Sequence, residues 1–228
     1  MYLTHRGWAK INVPELTLLG IEKERDRLRH TAEALDAIYT ISPPWLQKAI
    51  NLARSSVQRR GDLVLMHKDM VNLPANTIIV LQQKTRNYAN PVFIEVDMHE
   101  ELRAAVIDCL SDRLAFVCPY LLHDRPARMP SKKAASKPHH LAITPDHLTK
   151  TFAEYRDKSG VYDHLTAEEK PSFHDIRALG LYVLKNKYNK EYAQALRGHT
   201  SAKMTEEYFK GHEPIKPVHV SFIEAKAN

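Results

Sequence analysis

Glycine and cysteine are scarce in this chain, which has seven glycines and two cysteines among 228 residues. The glycines form neither a phosphate-binding loop nor a dinucleotide fingerprint, which argues against chemistry driven by a bound nucleotide. The two cysteines, Cys109 and Cys118, provide no disulfide framework and too few ligands for a zinc finger or ribbon. This cysteine usage fits a reducing compartment.

Long apolar runs are also lacking, and none approaches the ~20 residues that a bilayer span needs. The first residues lack the apolar stretch of a secretory signal, so we expect a cytoplasmic protein with no membrane partner. The chain is 43% hydrophobic, which is enough apolar material for a core. Basic residues exceed acidic ones by six, 33 against 27, and this balance favours a polyanionic partner.

Apolar residues recur at helical spacing over most of the chain, and capping residues and prolines mark the helix ends. Thr31 is expected to cap a helix that stops at Pro43, and Thr144 followed by Pro145 to start one that ends at Gly160. Further helices are expected at about 43–55, 100–110, 173–188, 189–198 and 201–210.

Two runs rich in β-branched residues, 77–81 and 91–96, flank a polar stretch and predict an antiparallel hairpin with Lys84 at its rim. The fold class expected is therefore α+β, a mostly helical domain with a small antiparallel β-sheet.

The domain organisation expected is a lead-in at 1–30, one domain at 31–210 and a tail at 211–228. In the tail, Val218, Val220 and Phe222 alternate with polar residues, which is typical of a short strand. Two alternatives stay open for this segment: a strand of the molecule's own sheet, or an arm that docks on a neighbouring protomer.

Six polar side chains together supply the functional groups needed to cut a phosphodiester without a metal. They are Arg59, Lys84, His174, Arg177, His199 and Tyr208. Any one of these residue types, taken alone, more often has a structural role. Guanidinium groups such as Arg59 and Arg177 can offset the charge that builds on the phosphoryl oxygens. Tyr208 offers a nucleophilic hydroxyl, and a lysine between two strands, Lys84, can protonate the leaving sugar oxygen. His174 lies three residues before Arg177, so both lie on one helical face.

Four short stretches in a fixed order carry a family resemblance, and Tyr208 follows the last of them. They are Gln58-Arg59-Arg60-Gly61-Asp62-Leu63, Gln83-Lys84-Thr85, Ser172-Phe173-His174-Asp175-Ile176-Arg177 and Leu196-Arg197-Gly198-His199-Thr200-Ser201. From about residue 31 to about residue 210, the chain resembles the catalytic domain of a tyrosine recombinase of the phage integrase type, with its DNA breaking and rejoining fold.

The resemblance implies site-specific DNA recombination, integration or excision, through a covalent 3′-phosphotyrosine. Arg59, Arg177 and His199 would hold the scissile phosphate, and Lys84 would protonate the leaving 5′ oxygen. Tyr208 would form the covalent link, which conserves bond energy, so neither a metal nor another cofactor is expected.

The resemblance also implies a catalytic role for His174, a supporting role for Asp62 and a DNA contact for Arg60. His174 would help proton transfer, and Asp62 would orient Arg59 or a neighbouring backbone group. Arg60 would contact the DNA backbone, although a register shift of one residue would make Arg60 the essential arginine instead.

The partners implied are double-stranded DNA and three further copies of the chain, which together form a homotetramer on two DNA sites. Without DNA, the chain could be a monomer. The location would be the host cytoplasm if a phage encodes the chain. Basic residues expected to contact DNA are Arg60, Arg86, Arg125, Arg128, Lys132, Lys133 and Lys137. Five of these seven lie in an irregular loop at 123–140, which we expect to follow DNA phosphates.

The chain departs from the family in its short lead-in, because some 30 residues cannot form the usual amino-terminal helical domain that closes over the duplex. The expectation is a catalytic half or a truncated product. Two other functions stay open: DNA relaxation of the type IB topoisomerase kind, and DNA binding without turnover. Irregular spacing argues against a metal site formed by Cys109, Cys118, His123, His139 and His140.

Overall fold

The computed structural model describes residues 29–81, 93–125, 137–188 and 218–220, together with Tyr192 and Leu196. Several sequence predictions lie outside these residues, among them the helix at 201–210. The site residues that lie outside are Lys84, Arg86, Arg128, Lys132, Lys133, His199 and Tyr208.

The helices begin and end close to the predicted positions. They are α1 (Ala32–Ile41), α2 (Pro44–Ser56), α3 (Arg60–Leu63), α4 (Glu100–Leu110), α5 (Pro145–Lys158) and α6 (Ile176–Lys187), with 3-10 turns at Lys68–Met70, Arg113–Phe116 and Phe173–Asp175. The predicted caps are confirmed, because the hydroxyls of Thr31 and Thr144 accept hydrogen bonds from the first turns of α1 and α5. Within the described ranges, no helix has the length and apolar character that a bilayer span requires.

Within the described residues, four short strands form one sheet in the order β1 (Val71–Asn72), β2 (Thr77–Leu81), β3 (Phe93–Asp97) and β4 (Val218–Val220). The predicted hairpin is confirmed, since β2 and β3 pair antiparallel with Thr77 opposite Asp97. β1 continues this antiparallel pattern, whereas β4 runs parallel to β3. The mostly helical α+β fold is therefore confirmed, and the tail supplies a strand to the sheet of its own chain.

The core lies around α2, which packs against α1, α4, α5 and α6. Its inner face buries Leu46, Ala49, Ile50, Leu52 and Ala53. The apolar stripe of α1 is narrower than its sequence indicates, because Leu35 and Ile38 are buried whereas Ile41 at the end of the helix is exposed. The broad stripe of α2 thus makes it the helix on which the others are assembled.

A glycine sets the distance between α2 and α6. A Cβ atom added at Gly180 would lie 2.2 Å from the carbonyl oxygen of Arg54. Gly180 lies one turn after Arg177, and Arg54 lies five residues before Arg59. The backbone contact therefore fixes how closely the segments bearing the two predicted catalytic arginines approach one another.

Replacing Gly180 with Ala should destabilise the fold by about 1–3 kcal/mol, because backbone atoms must move to make room for the methyl group. The direction of this change is informative, because replacing Gly with Ala inside a helix with free space around it normally stabilises the protein by about 0.5–1 kcal/mol. Urea unfolding followed by circular dichroism measures the change. Asn186→Ala on the exposed side of α6 is the control, and it should shift stability by no more than about 0.5 kcal/mol. Equal or higher stability of Gly180→Ala would contradict the contact.

Candidate active site

His174 and Arg177 line the same surface cavity at the start of α6, as their three-residue spacing predicts. The cavity measures about 310 Å³, and its described walls also include Arg29, Asp175, Ala178 and Leu181. His174 is exposed, whereas Arg177 is buried, with 9% of its surface accessible. An imidazole and two guanidinium groups thus surround one space, an arrangement suited to an anion.

The backbone before α6 is fixed by a local hydrogen-bond network. The Asp175 carboxylate accepts from the Ser172 backbone N–H at 2.7 Å and from its hydroxyl at 2.8 Å. Phe173 between them is buried and stacks edge-on against Phe152 of α5. This turn sets the direction in which His174 enters the cavity.

A buried histidine near the start of the described residues, His30, is hydrogen-bonded to the same turn. One ring nitrogen of His30, Nε2, lies 3.0 Å from the carbonyl oxygen of Ser172, and Nδ1 lies 3.0 Å from the Tyr162 hydroxyl. A carbonyl only accepts, so Nε2 carries the proton and Nδ1 accepts from the tyrosine. Burial lowers the pKa of His30, against the opposing effects of the Ser172 carbonyl and Asp175. His30 was expected in a lead-in, and it packs inside the domain.

Arg59 occupies the turn between α2 and α3, where it is partly buried. Asp62, three residues further on, is 1% exposed within α3. The neighbouring Arg60 is exposed, and its guanidinium donates to the Thr149 hydroxyl on α5 at 2.7 Å. This contact directs Arg60 along α5, and the role of Arg59 as the phosphate ligand stays a prediction.

The described structure therefore brings together part of the predicted site. His174 and Arg177 share the cavity, Arg59 and Asp62 share the α2–α3 turn, and the joint arrangement with Lys84, His199 and Tyr208 stays a prediction. Two predicted DNA contacts, Arg125 and Lys137, lie at the two described ends of the basic loop.

In the described ranges, no three His, Cys, Asp or Glu side chains are grouped as metal ligands. Cys109 and Cys118 are buried and unbridged. Burial raises the pKa of the Cys109 thiol to about 12, so this side chain belongs to the core as a thiol.

The sequence did not predict one residue of the cavity wall, Arg29. Arg29 ends a run of alternating charges that is typical of a solvated helix face, and nothing local distinguishes it from its neighbours. The structure places it in the cavity wall with His174 and Arg177. Only the packing of the adjacent His30 beneath Ser172 reveals this position.

Residues 22–213 match the phage integrase family, a span that includes the cavity, the α2–α3 turn and the hairpin. The chain belongs to this family. The integrase of Escherichia phage HK022 is 31% identical over 192 residues, which are 82% of this chain and 48% of that protein. The chain thus spans about half the length of this curated relative.

Solved structures of lambda integrase have a similar fold. The lambda integrase catalytic core aligns with a TM-score of 0.57 and 24% identity over 76% of this chain and 96% of that one. A lambda integrase(75-356) dimer bound to a COC′ core site gives a TM-score of 0.58 and 25% identity, over 86% and 64% of the two chains. The integrase of transposon Tn1549, in complex with circular intermediate DNA, shares the fold at 16% identity and a TM-score of 0.52, over 84% and 63%.

The buried His30 should make folding stability depend on pH. Because its folded pKa lies below the unfolded value of about 6.5, the unfolded chain binds more protons, and stability falls as pH decreases below that value. Burial also lowers the pKa of His99, so both histidines contribute. His30→Gln should therefore make the unfolding free energy fall less steeply between pH 7.5 and pH 5.5 than in the wild type. Urea titrations at several pH values measure this dependence. An unchanged slope would contradict the assignment.

Proposed function

We propose that this chain is the catalytic domain of a site-specific DNA recombinase that cuts and rejoins DNA through a covalent 3′-phosphotyrosine at Tyr208. The observation that carries the proposal is the shared cavity of His174 and Arg177, within a chain of the phage integrase family. These two groups and Arg29 can bind a phosphodiester by charge and by directed hydrogen bonds.

The cavity supplies part of what an in-line displacement at phosphorus needs. Negative charge builds on the non-bridging oxygens, and donors already fixed in place stabilise it without reorganising. The turn that Asp175 and Ser172 close, with His30 beneath it, provides this fixation on the α6 side. The close approach of Gly180 to Arg54 supports it on the Arg59 side.

The proposed reaction needs neither an external energy source nor a redox partner. The Tyr208 oxygen attacks phosphorus as its proton passes to a base, the bond to the 5′ oxygen breaks, and Lys84 protonates that oxygen. His199 completes the set of phosphate ligands, and His174 assists proton transfer. Rejoining reverses these steps when a 5′ hydroxyl of another strand attacks the phosphotyrosine.

The proposed partner is double-stranded DNA, bound by a homotetramer on two sites, with the chain a monomer in the absence of DNA. Among structures of similar fold are a lambda integrase dimer on a core site and a lambda integrase tetramer bound to a Holliday junction. The net positive charge of this chain favours the same class of ligand. The cytoplasm of the host is the proposed location.

Replacing Tyr208 with Phe should preserve DNA binding and abolish covalent attachment, because only the attacking oxygen is lost. The measurement uses a nicked suicide duplex from the ends of the genetic element and a denaturing gel that resolves protein-linked DNA. Tyr182→Phe, at an exposed tyrosine of α6, is the matched control and should form adduct at the wild-type rate.

Three results would contradict the proposal in different ways. Undiminished adduct from Tyr208→Phe would remove Tyr208 from its role. Binding by the wild type without adduct would indicate a DNA-binding module without turnover. Relaxation of a supercoiled plasmid by the monomer, without strand exchange, would indicate an activity of the type IB topoisomerase kind.

Replacing Arg29 with Ala should weaken binding to all DNA sequences alike and reduce the slope of log affinity against log salt concentration by about one, as expected for one phosphate contact. Fluorescence anisotropy at several salt concentrations measures both effects. Arg113→Ala, an exposed arginine outside the described cavity wall, is the control. A slope unaltered by Arg29→Ala would remove this residue from the DNA interface.

A further inference from the structure

A buried amide links two distant segments beside the candidate site. Gln58 lies in the turn between α2 and α3, and 3% of its surface is exposed. Its Nε2 atom donates to the carbonyl oxygen of Leu196 at 2.8 Å and to that of Ser56 at 3.1 Å. Both partners can only accept, so the orientation of the amide is fixed and both of its hydrogens are used.

The two linked segments each lead to a predicted phosphate ligand. Arg59 directly follows Gln58, and His199 lies three residues after Leu196. The Leu196 side chain is fully buried in the core, which holds its carbonyl in place. The amide of Gln58 thus connects the backbone before Arg59 to the backbone before His199 across 138 positions of sequence.

The turn that carries Gln58 has a conformation that needs such support. Val57 has φ 56° and ψ 22°, in the left-handed region that β-branched residues rarely adopt. Strained backbone of this kind persists only where its surroundings hold it. The bond from Gln58 to the Ser56 carbonyl spans Val57, and the Ser56 hydroxyl is itself fixed on Leu52 at 2.6 Å.

The two ends of the Gln58 amide differ in their described contacts. The Gln58 Oε1 atom is buried and has no hydrogen-bond donor in the described part of the chain. The two donated bonds are the feature that only the amide provides.

We propose that Gln58 is a positioning residue, which fixes the backbone before Arg59 by tying it to the carbonyl of Leu196. The inference rests on the proposed function, because it concerns the same phosphate. DNA contacts other than Arg59 would keep most of the binding affinity, whereas the chemical step depends on the placement of the Arg59 guanidinium. A displacement of about 1 Å at a reacting centre can reduce a rate by about 100-fold.

Two substitutions test the role of the amide. Gln58→Met keeps the length of the side chain and removes both donors. Gln58→Glu keeps the shape but places oxygen against two carbonyls, except at low pH, where the protonated carboxyl can donate one bond to Leu196. The matched control is Gln47→Met, since the Gln47 amide also donates to a carbonyl, that of Tyr39 at 2.9 Å, at the other end of α2.

The rate of covalent adduct formation from a nicked suicide duplex and the dissociation constant for intact DNA are measured at a temperature where circular dichroism shows each variant folded. Gln58→Met should lower the adduct rate by about 10- to 100-fold and change DNA affinity by no more than about twofold. For Gln58→Glu, the rate deficit relative to wild type should shrink as pH decreases from 8 to 5.5. Gln47→Met should match the wild type in both measurements.

The outcomes separate this inference from the proposed function. A wild type that forms no adduct contradicts the proposed function itself. A wild-type adduct rate in folded Gln58→Met, or equal losses of rate and affinity, overturns the role of Gln58 alone. If Gln58→Met does not fold, the pH profile of Gln58→Glu decides, and a deficit that is constant with pH overturns the proposal.

Discussion

The backbone contact between α2 and α6 is the constraint on which the candidate site depends. At Gly180 the two helices approach so closely that even a methyl group would meet the Arg54 carbonyl. One helix leads into the turn with Arg59, and the other carries Arg177 in its first turn. Two guanidinium groups far apart in sequence therefore take their relative positions from a contact that involves neither side chain.

Side chains that donate to main-chain carbonyls complete this arrangement. His30 holds the Ser172 carbonyl below the entry to α6, and Gln58 holds the Leu196 carbonyl beside the α2–α3 turn. Both donors are buried, where hydrogen bonds are well shielded from water. The candidate catalytic groups thus lie on main chain that is tied at several points, as preorganised electrostatic stabilisation requires.

The sequence predicted those elements whose signals are local. Thr31 and Thr144 cap their helices as expected, and the β-branched runs form the hairpin. The sequence could not show that His30 is buried or that Arg29 borders the cavity, because both positions depend on α5 and α6 folding back over the start of the domain. The parallel pairing of β4 also joins residues 124 positions apart, and its composition indicated only a strand.

Among the described residues, the sheet ends on one side with β1, of two residues, and on the other with β4, of three. Short boundary strands expose few backbone groups to which a second polypeptide could add as a strand, and natural proteins use this device against fibrous aggregation. A second polypeptide would therefore find only two or three residues to pair with at either described edge.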